Sequence, residues 1–238
     1  MAHHSKKTKS SASSKTTMRT LLLVDDHPMM RAGLAQLINQ QADLHVSAEA
    51  GNPAEALKLL ETIKPDLILS DITMPGRSGI DFIRDVLALL PGMSILVVSM
   101  HDETIYAERV LQAGARGYIM KESGGENLLI AIRQVLSGSV YVSREMSTRI
   151  LDNLSSKKPR ASNSAITQLS NREFEIFQLI GRGLGTRKIA DQLHISTKTV
   201  EVHRGHIKEK LGIKDASELV HRAIQWIEAE NSGRPLAE

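Results

Sequence analysis

The chain has no cysteine. That excludes disulfides, thiolate metal sites and thiol chemistry, and it agrees with a reducing compartment. Aromatic residues are scarce, with three Phe, three Tyr and one Trp among 238 residues. Cores must therefore be built mainly from Leu, Ile, Val and Ala, and a hydrophobic content of 41% supplies enough of them. No apolar run approaches the roughly 20 residues needed to cross a bilayer. No charged segment followed by an apolar one opens the chain, so no membrane association is expected.

The net charge of +3 conceals a division along the chain. Residues 19–143 carry a net −5, whereas 144–165 carry +3 and 166–229 carry +2. An acidic block is a poor ligand for nucleic acid, while a basic one can face a polyanion. Residues 1–18 hold four lysines, no acid and almost nothing to bury, and are expected to form a disordered basic tail. The lack of acids suggests a transit peptide, but arginine is missing too. Residues 230–238 are expected to be a flexible tail.

From Thr20 onward, short apolar runs alternate with amphipathic stretches. Strands are expected at Leu21–Val24, Leu44–Ala48, Leu67–Ser70, Ser94–Val98 and Gly117–Met120, with helices near 29–39, 53–63, 79–89, 103–113 and 126–137. Asn52, Pro53 and Glu55 form a capping-box signature for the second helix. Near-continuously apolar strands separated by helices imply a parallel sheet covered on both faces. The reading is a doubly wound α/β domain over 19–143. Residues 144–165 read as a linker with a possible short helix at 143–154, and 166–229 as a smaller all-α domain of four helices.

Ligands of an open parallel sheet bind at the C-terminal ends of its strands. Asp25 and Asp26 follow the first strand, Asp71 the third, Ser99 ends the fourth and Lys121 the fifth. Three carboxylates in one place repel unless a hard divalent cation joins them, and all-oxygen ligation favours magnesium. A hydroxyl, an ammonium and that ion around one carboxylate can hold the oxygens of a phosphoryl group. Each residue alone reads as a cap, a turn or a solvated end. All five on one rim do not.

The phrases LLLVDDHP, SDITMPGRSG, VVSMHDE and GARGYIMKES resemble the receiver domain of bacterial two-component systems. That resemblance implies a flavodoxin-like strand order 2-1-3-4-5 and a phosphoacceptor at Asp71, charged by a sensor histidine kinase or by small phosphodonors such as acetyl phosphate. It implies magnesium held by Asp26, Asp71 and the backbone carbonyl of Thr73, with Asp25 assisting. Ser99 and Lys121 would contact the phosphoryl oxygens, and Tyr118 would swing inward with Ser99 as a switch. Glu122 stands where many receivers have proline. Thr73 and His101, each two residues beyond a site residue, border the path of the attacking water. The domain would not be a turnover enzyme, catalysing only its own phosphorylation and dephosphorylation. A haloacid-type phosphatase would need a second acid two residues after its nucleophile, where this chain has Thr73.

In the helical domain Ser170 and Glu173 form a capping box, and Phe174, Phe177, Leu179 and Ile180 share an apolar face. A second helix turns Ile189, Ala190 and Leu193 inward. Ser196 caps a third that Gly212 terminates, and in it Val200, His203, Ile207 and Leu211 can face the core. His203 reads as a buried or phosphate-touching histidine rather than a metal ligand. Two short helices followed by an exposed polar one suggest a helix-turn-helix.

The phrases LSNRE, GLGTRKIADQLHIS, TKTVEVHRGHIKEKLGI and ASELVHRAI resemble the NarL/FixJ, or LuxR-type, regulators. The resemblance implies a cytoplasmic bacterial transcription regulator that binds double-stranded DNA, and it permits a homodimer when phosphorylated, expected because a symmetric pair reads two half-sites. It places Glu201, Val202 and Gly205 in the major groove. Lys198, Arg204 and Lys208 would supply general attraction, and Thr197 and Thr199 hydroxyl contacts to phosphate. A signalling adaptor with a silent helical domain is the competing reading, and the intact basic helix argues against it.

Overall fold

The computed structural model describes residues 18–74, 78–155, 165–193 and 195–232. The tails at 1–17 and 233–238, and most of the linker, lie outside the described residues. Five parallel strands, β1 (Arg19–Val24), β2 (Leu44–Ala50), β3 (Leu67–Ser70), β4 (Ser94–Ser99) and β5 (Gly117–Met120), pair in the order β2-β1-β3-β4-β5. Strand alternation divides the core between the two faces. Leu22, Val24, Ile68, Ile95 and Val97 pack toward α2 (Pro53–Leu60), α3 (Gly79–Leu89) and α4 (Glu103–Gln112). Leu21, Leu23, Leu67, Leu69, Leu96 and Val98 pack toward α1 (Pro28–Asn39) and α5 (Gly125–Leu136). Each such side chain, wholly withdrawn from water, stabilises the fold by about 1.5–3 kcal/mol before chain entropy is counted.

Local details differ slightly from the sequence reading. Asn52 caps α2 by accepting from the Glu55 amide, but the Glu55 carboxylate reaches the Gly51 amide at 2.7 Å, one residue before the capping-box partner. Gly79 opens α3 where an added Cβ would sit 2.3 Å from the Ile72 carbonyl oxygen. Only glycine lets α3 start this close behind β3, and that proximity fixes the loop carrying Asp71 and Thr73.

The chain continues into α6 (Arg144–Ser155), three turns long, and α6 docks on the sheet domain. Met146 is buried, and the Ser143 amide donates to Glu103 Oε1 at the start of α4. The helical domain comprises α7 (Asn171–Gly181), α8 (Thr186–Gln192), α9 (Thr197–Leu211) and α10 (Ala216–Ser232). Its core joins Phe174, Phe177, Ile189, Val200, Ile207, Leu219, Ala223 and Trp226. The Ser170–Glu173 capping box closes in both directions, and Gly212 ends α9 in the left-handed conformation at φ 66°. No described helix is long and apolar enough to cross a membrane.

The two domains are packed together through α4 and α7. Arg109 of α4 is only 6% exposed, and its guanidinium donates to the carbonyls of Leu169 and Ile166 and to Asn171 Oδ1. The guanidinium carbon also lies 4.3 Å from the centroid of the Phe174 ring. Beside it, Gln178 Nε2 donates to the Tyr106 hydroxyl at 2.6 Å, and the Tyr106 and Phe174 rings meet edge to face. Burial pushes the Arg109 guanidinium down from its ordinary value, opposed by Tyr106, Glu108 and Glu173.

Candidate functional site

The strand ends bring the expected acidic pocket together. Lys121, immediately after β5, donates from Nζ to Asp25 Oδ2 at 2.7 Å and to Asp71 Oδ2 at 2.6 Å. Asp25, Asp71 and the Lys121 side chain are almost fully buried. Burial alone would lower the lysine, yet its hydrogen bonds to Asp25 and Asp71, with their charges, outweigh this and raise it above the ordinary range. One ammonium therefore joins two strand ends. It cannot neutralise three carboxylates.

Asp26 completes the acidic set. Carboxylate oxygens of Asp25, Asp26 and Asp71 lie within 4.8 Å of one another and of a His27 ring nitrogen. His27 Nδ1 stands 2.8 Å from Asp26 Oδ1 but is poorly aligned, so that shielded oxygen has no hydrogen-bond partner. A desolvated carboxylate oxygen facing two others suits a hard cation. The donor set therefore fits magnesium. His27 was not singled out from the sequence, because a histidine after an acidic pair carries no signal of its own.

Ser99 is fully buried at the end of β4, where its Oγ accepts from the His101 amide at 3.3 Å. Thr73 donates its amide to Asp71 Oδ1 at 3.1 Å, and its hydroxyl meets His101 Nε2. Tyr118 is already turned inward and wholly buried, donating its hydroxyl to the His101 carbonyl at 2.8 Å. The two residues expected to border the water path thus touch each other across the pocket mouth. His101 also stacks on Tyr106 with centroids 5.0 Å apart. Contacts run without a gap from Asp71 through Thr73, His101 and Tyr106 to Phe174 and Trp226 of the helical domain. Sequence reasoning missed Tyr106 and Arg109, which lie on a helix whose pattern shows one core-facing stripe.

The third helix of the helical domain, α9, presents its expected reading face. Thr197, Lys198, Glu201, Val202 and Gly205 are exposed, with Val202 50% accessible although it is a large apolar residue. Thr199, Arg204 and Lys208 are half-buried along its edges. A Cβ at Gly205 would meet nothing within 4 Å, so no packing within the chain requires glycine there. Glu201 is not free. Its Oε1 accepts from Thr186 Oγ1 of α8 at 2.7 Å, and Arg204 Nε stands 3.9 Å from Oε2. The sheet domain, which packs on α7, leaves this face open.

Two family models match the chain: the response regulator receiver domain over residues 21–133, and the bacterial regulatory proteins of the luxR family over 167–223. Oxygen regulatory protein NreC of Staphylococcus aureus is 37% identical over 209 residues, covering 86% of this chain and 96% of its own. A luxR-family two-component response regulator from Aurantimonas sp. SI85-9A1 is 32% identical over 59% of the chain, with a TM-score of 0.55. RcsB of Salmonella enterica serovar Typhimurium, solved on a promoter with a phosphomimetic, shares the fold at 23% identity and a TM-score of 0.70. It covers 87% of this chain and 99% of its own. With both models matched in this order, the chain belongs to the NarL-type response regulators, in which a receiver precedes a luxR-type DNA-binding domain.

Proposed function

We propose that the protein is a transcription regulator switched by phosphorylation at Asp71. The observation that carries the reading is the Lys121 ammonium bridging Asp25 and Asp71 in a buried pocket. In the transfer, an Asp71 oxygen attacks phosphorus as the bond to a kinase histidine nitrogen breaks, and the departing imidazole keeps the electron pair. With acetyl phosphate the broken bond is phosphorus to oxygen, and acetate leaves. Lys121 and the Ser99 hydroxyl would hold the incoming oxygens, and the domain would catalyse only its own phosphorylation and dephosphorylation. Asp26, Asp71 and the Thr73 carbonyl would hold magnesium, with Asp25 assisting. The ion would neutralise charge on the phosphoryl oxygens.

A single helix-turn-helix offers a small interface, whereas a symmetric pair reads two half-sites. Since α9 is open in the compact chain, uncovering it is not the step that needs control. Pairing is. Phosphorylation is therefore expected to produce a dimer, measured by light scattering with and without acetyl phosphate and magnesium. An unchanged monomer mass at DNA-binding concentrations would count against the reading.

For the readout, a carboxylate entering the major groove accepts from a cytosine amino group. Glu201 would exchange its Thr186 hydroxyl for that donor, while Val202 packs on a thymine methyl. Gly205 sacrifices about 1 kcal/mol of helix propensity relative to alanine, which close approach to a base or sugar would justify. Binding sites selected by wild type and Glu201→Ala should differ at one position per half-site, by roughly 1–3 kcal/mol. Lys208→Ala should instead weaken all sites alike and flatten the salt dependence. An identical motif for wild type and Glu201→Ala would mean that Glu201 serves only its intramolecular pair.

A further inference from the structure

A second group of metal-competent side chains lies far from the acidic pocket, between α7 and the inner edge of α9. Glu173, His203 and His206 each offer one ligand atom, all within 4.8 Å of one another. Glu173 is 4% exposed, and its two oxygens are used unequally. Oε2 accepts from the Ser170 amide at 2.7 Å and from Lys210 Nζ at 2.6 Å. Oε1 faces His206 Nδ1 at 3.7 Å. His203 Nδ1 is shielded from solvent and has no hydrogen-bond partner among the described residues. Arg172 of α7 is committed to Glu175 and to the Leu193 carbonyl.

We propose that Glu173, His203 and His206 form a binding site for a borderline divalent transition ion of the zinc, cobalt and nickel class. Two imidazoles and one carboxylate are the donors such ions prefer, whereas magnesium and calcium select oxygen. The spacing fits. Donors at about 2.0–2.2 Å from a tetrahedral ion stand somewhat over 3 Å apart, close to the 3.7 Å already present between His206 and Glu173. His203 and His206 lie one turn apart on the same helix, so small side-chain rotations close the remaining gap. His206 is exposed and leaves an open side where water completes the shell. Lys210 on the opposite carboxylate oxygen fixes the orientation of Glu173, as second-shell partners commonly do. The ion would tie α9 to the start of α7.

The site is tested on the full chain in excess magnesium, which fills the acidic pocket, by titrating Co2+ and following its tetrahedral visible absorption. Zn2+ then serves as the competitor. Wild type should bind one ion more than His206→Asn, or bind it roughly tenfold or more tightly, the scale set by losing a group that tunes a metal site. His206→Cys restores a donor, in a chain without other cysteine, and should recover binding with a thiolate charge-transfer band. Circular dichroism confirms that each variant is folded. Identical isotherms for wild type and His206→Asn overturn the site, as does a loss that His206→Cys does not repair.

Discussion

Asp71→Asn should abolish phosphate uptake from acetyl phosphate in the presence of magnesium, as read by intact mass. In the proposed transfer the carboxylate oxygen of Asp71 is the nucleophile, and an amide of the same shape offers no equivalent. The substitution should leave the fold intact. Lys121 keeps Asp25 at 2.7 Å, and three crowded carboxylates become two. In metal-free buffer Asp71→Asn should therefore unfold no earlier than wild type, because repulsion among the acids is relieved. Equal phosphate uptake by the two proteins would transfer the acceptor role elsewhere. A large loss of stability would instead assign Asp71 a structural role that the geometry gives to Lys121 and Asp25.

The second large effect is expected at Arg109→Ala. Removing the guanidinium strands the carbonyls of Ile166 and Leu169 in a buried interface and takes away the cation over Phe174. Unsatisfied buried polar groups and lost charge-assisted bonds together cost about 3 kcal/mol or more. That loss falls between the domains rather than within either core. Calorimetry should show one shared transition for wild type and two for Arg109→Ala, and solution scattering should show a larger radius for the variant. Arg109→Lys keeps the charge but not the planar fork that reaches three acceptors on the other domain, so it should lie between the two. A single unchanged transition in Arg109→Ala would mean that the α4–α7 contact carries little free energy.

Much of the pocket was legible because a parallel sheet fixes where strand ends converge. Once β1, β3, β4 and β5 were recognised as apolar runs, Asp25, Asp71, Ser99 and Lys121 had to share a rim. The elements of the helical domain were legible for a similar reason, since caps such as Ser170 and Ser196 and the stop at Gly212 are local signals. What joins the domains was not. Arg109 meets residues about 60 positions away, on a face of α4 that reads as solvated. No periodicity marks a surface that another domain will cover. Glu173 was legible as a capping residue because that role spans three residues. Its second face, toward His203 and His206, depends on how α7 crosses α9. Glu201 was read as a residue of the major-groove face. Its Thr186 bond comes from a neighbouring helix and had no sequence signature.

The α4–α7 contact also limits how the chain can be recombined. Receivers and DNA-binding domains are often pictured as interchangeable modules joined by a linker. Here the receiver supplies Tyr106 and Arg109, while the other domain supplies Gln178, Phe174 and the carbonyls of Ile166 and Leu169. A hybrid carrying this receiver and a sibling's helix-turn-helix would keep its phosphorylation chemistry, which lies wholly at the strand ends. It would place a buried arginine against a surface not shaped to receive it. Such a hybrid inherits the signal without the coupling, and substitutions at 106, 109, 174 and 178 must change together for the two halves to be exchanged.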